Sequence, residues 1–225
     1  MDGAAAVPQG KVRGVVFDLD GTLVDSYEAI ARSVNRARSA FALAPLGTDD
    51  VRVRVGRGLE SLMADVLGPD RAAEGVRLFR EHYAGIFADS TTALPGALET
   101  LRELHRRGFG LSVASNKPAR FGAPILERLG MLPYLRAVAG PDTVGTAKPD
   151  PAMLRWCHRE MGADPRVAVY VGDMVLDAET GARAGLDVLL VAGGSSSIED
   201  LRATGRPVLS SIEGILDLLP ASGRA

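Results

Sequence analysis

Residues 15–26 read Val-Val-Phe-Asp-Leu-Asp-Gly-Thr-Leu-Val-Asp-Ser, and this stretch decides the fold. An apolar, β-branched run over residues 12–17 ends abruptly in Asp18 and Asp20, which stand one residue apart before a glycine. Such a run predicts a short buried strand. Open α/β sheets place their chemistry at strand ends beside turns of this kind. We therefore expect both carboxylates at the mouth of a crevice.

Two acids at the end of a buried strand are unusual as packing, because carboxylates are almost never fully buried unless they are paired or bind a metal. Mg²⁺ prefers oxygen ligands, so Asp18 and Asp20 indicate a magnesium site. Taken alone, the segment also fits a plain turn or part of a calcium loop. The calcium loop requires a pattern of acids ending in a glutamate, and no such glutamate pattern follows here.

The segment after this strand is helical by pattern, from about residue 23 to residue 92. Asp25 and Glu28 have the spacing of a capping box at the start of a helix. Apolar residues at helical spacing predict three helices, over residues 26–43, 57–68 and 70–88. Residues 51–55 instead alternate apolar and polar side chains, which is a strand signal.

The rest of the chain alternates between strands and helices. We expect strands at 109–114, 135–139, 167–171 and 188–191, and helices at 97–107, 118–129, 151–161, 175–184 and 211–219. Repeated strand–helix units imply a parallel sheet with helices on both faces. The sequence therefore predicts an α/β fold, a doubly wound parallel sheet interrupted after its first strand by a helical segment.

Composition excludes several classes of protein. A net charge of −2 and a pI near 6.0 give no basic footprint for nucleic acid. No apolar run reaches the roughly 18 residues that span a bilayer, and residues 1–10 do not resemble a secretory signal. The single cysteine, Cys157, has no partner for a disulfide within the chain, which fits a cytoplasmic protein. A nucleophilic pair with His158 is disfavoured, because adjacent helical residues do not face each other.

Four segments, in order, resemble the motifs of the haloacid dehalogenase-like (HAD) hydrolase superfamily, and most closely its phosphoglycolate phosphatase-like branch. The first is residues 18–26, and the others are Leu-Ser-Val-Ala-Ser-Asn-Lys-Pro at 111–118, Lys-Pro-Asp-Pro at 148–151, and Val-Tyr-Val-Gly-Asp at 169–173 with Asp177 following. The resemblance runs from about residue 11 to residue 219. It implies a HAD-type Rossmann-like core of residues 1–22 plus 93–225 and an α-helical cap domain of residues 23–92. It also places residues 51–55 in the helical cap.

The resemblance implies a phosphatase that depends on Mg²⁺ and works through an aspartyl-phosphate. Asp18 would be the nucleophile and Asp20 the general acid and base. Mg²⁺ would be held by the Asp18 carboxylate, the Asp20 backbone carbonyl and Asp173. Asp177 would orient a metal-bound water or Lys148.

The same resemblance implies a set of groups that bind the substrate. Ser115, Lys148 and nearby backbone N–H groups would hold the phosphoryl oxygens, and Asn116 would shape their loop. The expected substrate-binding residues are Gly21, Thr22, Arg57, Ser115, Asn116 and Lys148. Lys11, Lys117 and Lys148 are the only lysines, and two of them lie in the motifs, which suggests sites that require a compact ammonium. Chance placement is the alternative for so few residues.

Residue differences narrow the reaction within the superfamily. Dehalogenases of this fold lack the second aspartate, so Asp20 argues against dehalogenation. No lysine occurs between Lys11 and Lys117, which argues against the Schiff-base chemistry of phosphonoacetaldehyde hydrolases. Gly-Arg-Gly at 56–58 superficially suggests a dinucleotide loop, but Ser61 stands where the third glycine would be. Met174 occupies a position where many relatives carry Ser or Thr.

The sequence favours a Mg²⁺-dependent phosphatase for a small phosphorylated metabolite, with 2-phosphoglycolate as the best candidate. The alternatives are a phosphosugar mutase of the β-phosphoglucomutase type, an inorganic pyrophosphatase, and a non-catalytic protein that binds a phosphorylated metabolite. The last is disfavoured, because a binding protein has no need of the nucleophile. Nothing in the sequence predicts the oligomeric state.

Overall fold

A computed structural model describes residues 13–162 and 167–220 of the chain. The strands are β1 (Gly14–Phe17), β2 (Val24–Asp25), β3 (Thr92–Ala93), β4 (Gly110–Ala114), β5 (Ala137–Ala139), β6 (Ala168–Gly172), β7 (Asp187–Val191) and β8 (Val208–Leu209). The helices are α1 (Tyr27–Ala40), α2 (Thr48–Arg52), α3 (Leu59–Leu67), α4 (Pro69–Ala84), α5 (Ala97–Arg106), α6 (Ala119–Arg128), α7 (Pro141–Val144), α8 (Ala152–Met161), α9 (Val175–Ala184), α10 (Ile198–Ala203) and α11 (Ile215–Leu218).

Six of the strands form one parallel sheet in the order β5-β4-β1-β6-β7-β8. β1 lies at its centre, with Phe17 in register with Val113 of β4 and Val171 of β6. Every residue of β1 is buried, as expected for a parallel strand that is covered on both faces. Side chains alternate between the faces, so Val15 and Phe17 pack in one hydrophobic cluster and Val16 packs in another. The predicted doubly wound parallel sheet is confirmed.

The four helices that follow β1 have a hydrophobic cluster of their own. Its buried members include Ile30, Val34, Met63 and Phe79. The chain enters and leaves this unit through β2 and β3, which pair antiparallel. We propose the division of the chain that the sequence predicts, with residues 23–92 as a cap over the sheet edge, because the two units have separate cores.

The strand signal at residues 51–55 is misleading, and the structure agrees with the helical expectation. α2 ends at Arg52 and turns continue to residue 56. Val51 and Val55 are buried, whereas Val53 between them is 65% exposed. The first and last valines are four residues apart, which is also the spacing of one helix face, so a short alternating run fits both structures.

Other boundaries differ from the sequence expectation at glycines and at short elements. The helix expected from residue 57 is α3, which begins at Leu59 because Gly58 has a φ of +96°, a left-handed value outside a helix. The helix expected over residues 211–219 is a 3₁₀ turn at Ile212–Gly214 followed by α11. No pattern in the sequence predicted α10 or β8. The expectations for residues 1–12 lie outside the described residues. Within the described ranges, no helix is long and apolar enough to cross a membrane.

Candidate active site

The carboxyl ends of β1, β4 and β6 meet at one edge of the sheet and bring three motifs together. The Asp18 amide donates to the Val171 carbonyl at 2.8 Å, and the Ser115 amide donates to Ala139 at 3.1 Å. Gly21 turns the chain after β1 with a φ of +82°. A Cβ on Gly21 would lie 2.5 Å from Asp173 Oδ2, so this turn requires glycine for space as well as for conformation.

Asp18, Asp173 and Asp177 form a buried acidic cluster. One carboxylate oxygen from each lies within 4.8 Å of the others, an arrangement that can hold a metal ion. Asp18 Oδ1 is buried and has no hydrogen-bond partner among the described residues. Asp173 accepts bonds from the Thr22 hydroxyl at 3.0 Å and the Ser195 amide at 2.7 Å. The cluster is therefore held in place with an oxygen of Asp18 still unpartnered.

Asp177 is the most heavily bonded of the three acids, because each of its oxygens accepts two hydrogen bonds, whereas each oxygen of Asp173 accepts one. Oδ1 accepts from Lys148 Nζ and Tyr170 Oη, each at 2.8 Å. Oδ2 accepts from the backbone amides of Asp173 and Met174 at 3.1 and 3.0 Å. These contacts fit a residue that orients its neighbours, as the resemblance implies for Asp177.

Burial and mutual repulsion make the acidic cluster reluctant to ionise without a cation. Burial raises the pKa of Asp18 to about 6, although the Lys148 ammonium opposes this, and Asp177 raises it further. Burial, together with Asp177 and Asp18, holds the pKa of Asp173 well above its usual range. A bound cation would remove both penalties, so the cluster is electrostatically suited to a metal ion.

Lys148 is the buried cation of the site. Its ammonium lies 2.9 Å from Asp18 Oδ2 and 2.8 Å from Asp177 Oδ1, and its side chain is 1% exposed. Burial disfavours the ammonium, but Asp177 and Asp18 outweigh burial and raise the pKa of Lys148. Asn116 Oδ1 accepts from the Lys148 amide at 2.7 Å, which fixes the loop that carries the lysine.

Asp20 lies beside a lysine that the sequence reasoning did not place in the site. Asp20 Oδ1 accepts from Ser26 Oγ at 2.5 Å and lies 3.0 Å from Lys117 Nζ. Lys117 Nζ also donates to the hydroxyl of Tyr83, on α4, at 2.6 Å. The available signal was the scarcity of lysine, which marked Lys117 and Lys148 together.

A cavity of about 420 Å³ lies between the sheet edge and the cap. Asp18, Asp20, Ser115, Asn116 and Lys148 line its floor. The cap side is largely apolar and includes Ile30, Val55, Leu59, Leu62, Phe79 and Tyr83. The cavity thus joins a strongly charged floor to an apolar wall.

The remaining residues singled out by sequence lie at the rim or below the floor. Arg57 lines the cavity from an exposed position on the cap loop. Thr22 is fully buried against Asp173, so its hydroxyl supports the acidic cluster. Met174 packs against Gly56 of the cap loop. The contact is close enough that a Cβ on Gly56 would lie 2.1 Å from the Met174 sulfur. Cys157 is buried in the hydrophobic cluster that contains Val16 and Tyr170, and burial raises the pKa of its thiol to about 12.

Comparisons with known proteins agree on one family. Residues 15–191 match the family model described as haloacid dehalogenase-like hydrolase. Phosphoglycolate phosphatase 1 of Pseudomonas aeruginosa is 33% identical, over 95% of this chain and 80% of the relative. The phosphoglycolate phosphatase of Cereibacter sphaeroides is 37% identical, over 80% of this chain and 85% of the relative. A crystal structure described as a predicted phosphoglycolate phosphatase from Haemophilus somnus superposes with a TM-score of 0.86 at 25% identity, covering 93% of this chain and 99% of that one.

Proposed function

We propose, since this chain belongs to the haloacid dehalogenase-like hydrolases, that it hydrolyses 2-phosphoglycolate with the help of Mg²⁺. The predicted superfamily, fold and enzyme class, a phosphoric monoester hydrolase, are confirmed by the comparisons. The substrate, the metal and the roles of the residues are the proposed part. Relatives named phosphoglycolate phosphatase that align over most of this chain support the choice of substrate.

A single observation carries the proposed chemistry. Asp18 presents a buried oxygen with no partner, while Lys148 holds its other oxygen at 2.9 Å. A carboxylate fixed in this way can attack phosphorus in line, because the lysine sets its orientation. Lys148 and Ser115 line the same cavity and would hold the phosphoryl oxygens whose charge must be stabilised.

The reaction takes place in two steps at phosphorus. An oxygen of Asp18 bonds to phosphorus while the bond to the leaving alcohol oxygen breaks, and Asp20 gives its proton to that oxygen. A water then attacks phosphorus and gives its proton to Asp20, and the bond to Asp18 breaks as inorganic phosphate forms. Asp20 is suited to both transfers because it lines the cavity two residues from the nucleophile.

The residues present fit a magnesium ion. The Asp18 carboxylate, the Asp20 backbone carbonyl and Asp173 would hold it, and all are oxygen donors. The close approach of Asp18, Asp173 and Asp177 and the raised pKa of Asp173 are the structural signs of this fit. When bound, the ion supplies positive charge to the phosphoryl group. Asp177 would orient this assembly, since its own oxygens are occupied.

Arg57 is the group we propose for the carboxylate of 2-phosphoglycolate. Of the other arginines at the cavity, Arg80 pairs with Glu60 at 2.8 Å and Arg120 pairs with Asp142 at 3.4 Å. Arg57 forms no ion pair with any residue of the ranges 13–162 and 167–220. A second anion on a short substrate would therefore find its available partner on the cap loop.

Phosphate release tests this proposal. The purified protein is incubated with 2-phosphoglycolate, sugar phosphates, nucleotides and pyrophosphate, with Mg²⁺ and with EDTA. We expect Mg²⁺-dependent release with the highest kcat/KM for 2-phosphoglycolate. A preference for pyrophosphate, or for a sugar phosphate that is isomerised rather than hydrolysed, would replace this substrate with one of the alternatives. The cytoplasmic location stays a prediction from the sequence.

A further inference from the structure

We infer that Lys117 is the positioning residue of Asp20 and that Tyr83 makes this positioning depend on the cap. The inference rests on the proposed function, in which Asp20 is the general acid. Lys117 comes from the loop after β4 in the core, whereas Tyr83 lies on α4 in the cap. A chain of contacts therefore connects the cap to the proton donor of the reaction.

All three N–H donors of the Lys117 ammonium have acceptors. They are Tyr83 Oη at 2.6 Å, Asp20 Oδ1 at 3.0 Å and Ser26 Oγ at 3.4 Å. An ammonium group has three donors, so all three donors of Lys117 face groups of the protein in this structure. The two lysines differ in the acid that they contact, because Lys117 lies against Asp20 and Lys148 lies against Asp18.

The contacts of Asp20 leave one of its oxygens for the substrate. Ser26 and Lys117 both contact Oδ1, at 2.5 and 3.0 Å. Oδ2 is then the oxygen that can exchange a proton with the leaving group. Fixing one oxygen sets the direction of the other, which matters because proton transfer requires hydrogen-bond distance and alignment.

Burial strengthens the electrostatic attraction between Lys117 and Asp20. The side chains of Lys117 and Asp20 are 6% and 11% exposed, so solvent screens their attraction weakly. Burial disfavours the Lys117 ammonium, but Asp20 and Tyr83 outweigh it and raise the pKa of the lysine. The Lys117 side chain is therefore charged at neutral pH.

Packing fixes Tyr83 independently of its hydroxyl. Its ring stacks on Phe79 at 5.1 Å between centroids and meets Phe121 edge-on at 5.4 Å. Phe121 belongs to α6 of the core, so this aromatic cluster spans both units. Replacing tyrosine with phenylalanine would keep the packing and remove only the acceptor of the Lys117 ammonium.

A pair of aryl esters tests the inference, because they match in shape and differ in the basicity of the leaving group. Phenyl phosphate needs a proton on its leaving oxygen, whereas p-nitrophenolate leaves without one. The value of kcat/KM covers only steps up to release of this group, so it isolates the acid role of Asp20. Asp20→Asn sets the reference, and we expect it to lower kcat/KM for phenyl phosphate by about 100-fold more than for the p-nitrophenyl ester.

We expect kcat/KM for phenyl phosphate to fall more than kcat/KM for the p-nitrophenyl ester in both variants. The excess loss should be about 10-fold for Lys117→Met and about 3-fold for Tyr83→Phe. In the double variant, Tyr83→Phe should add nothing, because its effect passes through Lys117. Tyr134→Phe is the matched control. The Tyr134 hydroxyl accepts a hydrogen bond from Arg102 Nε at 3.1 Å, and Tyr134 does not line the cavity. Circular dichroism and thermal unfolding check each fold, and Tyr83→Phe carries the test if Lys117→Met does not fold.

Equal losses on the two esters would overturn the inference, because Lys117 would then act on the phosphoryl group itself. The inference would also be overturned if Lys117→Met, or Tyr83→Phe, showed no loss of kcat/KM for phenyl phosphate. Failure of the proposed function gives a different result. In that case the wild-type protein releases no phosphate from either ester or from 2-phosphoglycolate, and the inference fails with it.

Discussion

The sheet edge and the cap face of the cavity are built on opposite principles. At the sheet edge the charged groups are buried and share partners, as Lys148 does with Asp18 and Asp177. On the cap, charged pairs such as Arg80 with Glu60 are solvent-exposed, and the face toward the cavity is largely apolar. Buried, shared contacts fix geometry, whereas exposed pairs contribute little to stability. We therefore propose that the core carries out the chemistry and that the cap selects the substrate.

Asp18→Asn breaks the core side of this comparison most severely. We expect kcat with 2-phosphoglycolate to fall by at least about 10⁴-fold, because the variant has no nucleophile. Phosphate release under saturating Mg²⁺ measures this, with circular dichroism to confirm the fold. Asp187→Asn is the matched control, since Asp187 is exposed at the start of β7. Comparable activity in the two variants would contradict the covalent mechanism.

Lys148→Met tests whether a buried cation contributes more to the free energy of unfolding than an exposed one. The substitution leaves Asp18 and Asp177 buried without their shared partner, and we expect the free energy of unfolding to fall by about 3–5 kcal/mol. Urea unfolding at neutral pH measures this change. The control is Arg183→Met, because the pair of Arg183 with Glu179 is about half exposed and should contribute at most about 1 kcal/mol. Similar losses in both variants would refute the contrast.

Metal binding should stabilise the core in a pH-dependent way. The pKa of Asp18 is about 6 in the metal-free fold, above its ordinary value of 3.8, so the folded state binds more protons in this range. Stability of the metal-free protein should therefore fall as pH rises from about 4 to 6. Mg²⁺ competes with these protons and should bind better above pH 6.

A thermal unfolding series measures this linkage. At a Mg²⁺ concentration about 100-fold above its Kd, the free energy of unfolding at pH 7.5 should rise by about 2.7 kcal/mol. This corresponds to an increase in Tm of roughly 5–10 °C. At pH 5 the shift should be much smaller, and Asp173→Asn should remove it at both values. An equal shift at pH 5 and 7.5 would place the ion elsewhere.

Arg57→Ala tests the cap side and should have the smallest effect. We expect KM for 2-phosphoglycolate to rise about 10-fold, equivalent to roughly 1.4 kcal/mol, with kcat nearly unchanged. The kcat/KM for p-nitrophenyl phosphate, which has no carboxylate, should stay the same. Arg54→Ala is the control, because Arg54 pairs with Asp65 and does not line the cavity. An equal loss of kcat/KM for 2-phosphoglycolate and p-nitrophenyl phosphate would indicate that Arg57 contacts the phosphoryl group instead.

Sequence patterns alone predicted the sheet and the acids Asp18 and Asp20, whereas Asp173 and Asp177 were expected only from the resemblance to the superfamily. The buried run at β1 and the acids after it need no knowledge of the rest of the chain. Lys117 could not be placed, since its three acceptors come from residues 20, 26 and 83 and converge only in the folded protein. The contact of Met174 with Gly56 was hidden for the same reason.

The short elements were missed for a different reason. α10 and β8 have six and two residues, too few for a periodic pattern to emerge. At residues 51–55 a five-residue window fitted both a strand and a helix, and the exposure of Val53 between the buried Val51 and Val55 separates the two.

The central claim is that Asp18 carries the phosphoryl group during turnover, and acid quenching followed by peptide mass spectrometry tests it directly. The protein is mixed with saturating 2-phosphoglycolate and Mg²⁺ and quenched during the first turnovers. We predict that the peptide containing Asp18 gains the mass of one phosphoryl group, and that Asp18→Asn does not. Phosphate release with the phosphoryl group on another residue, or with no phosphorylated peptide at any quench time, would contradict the account.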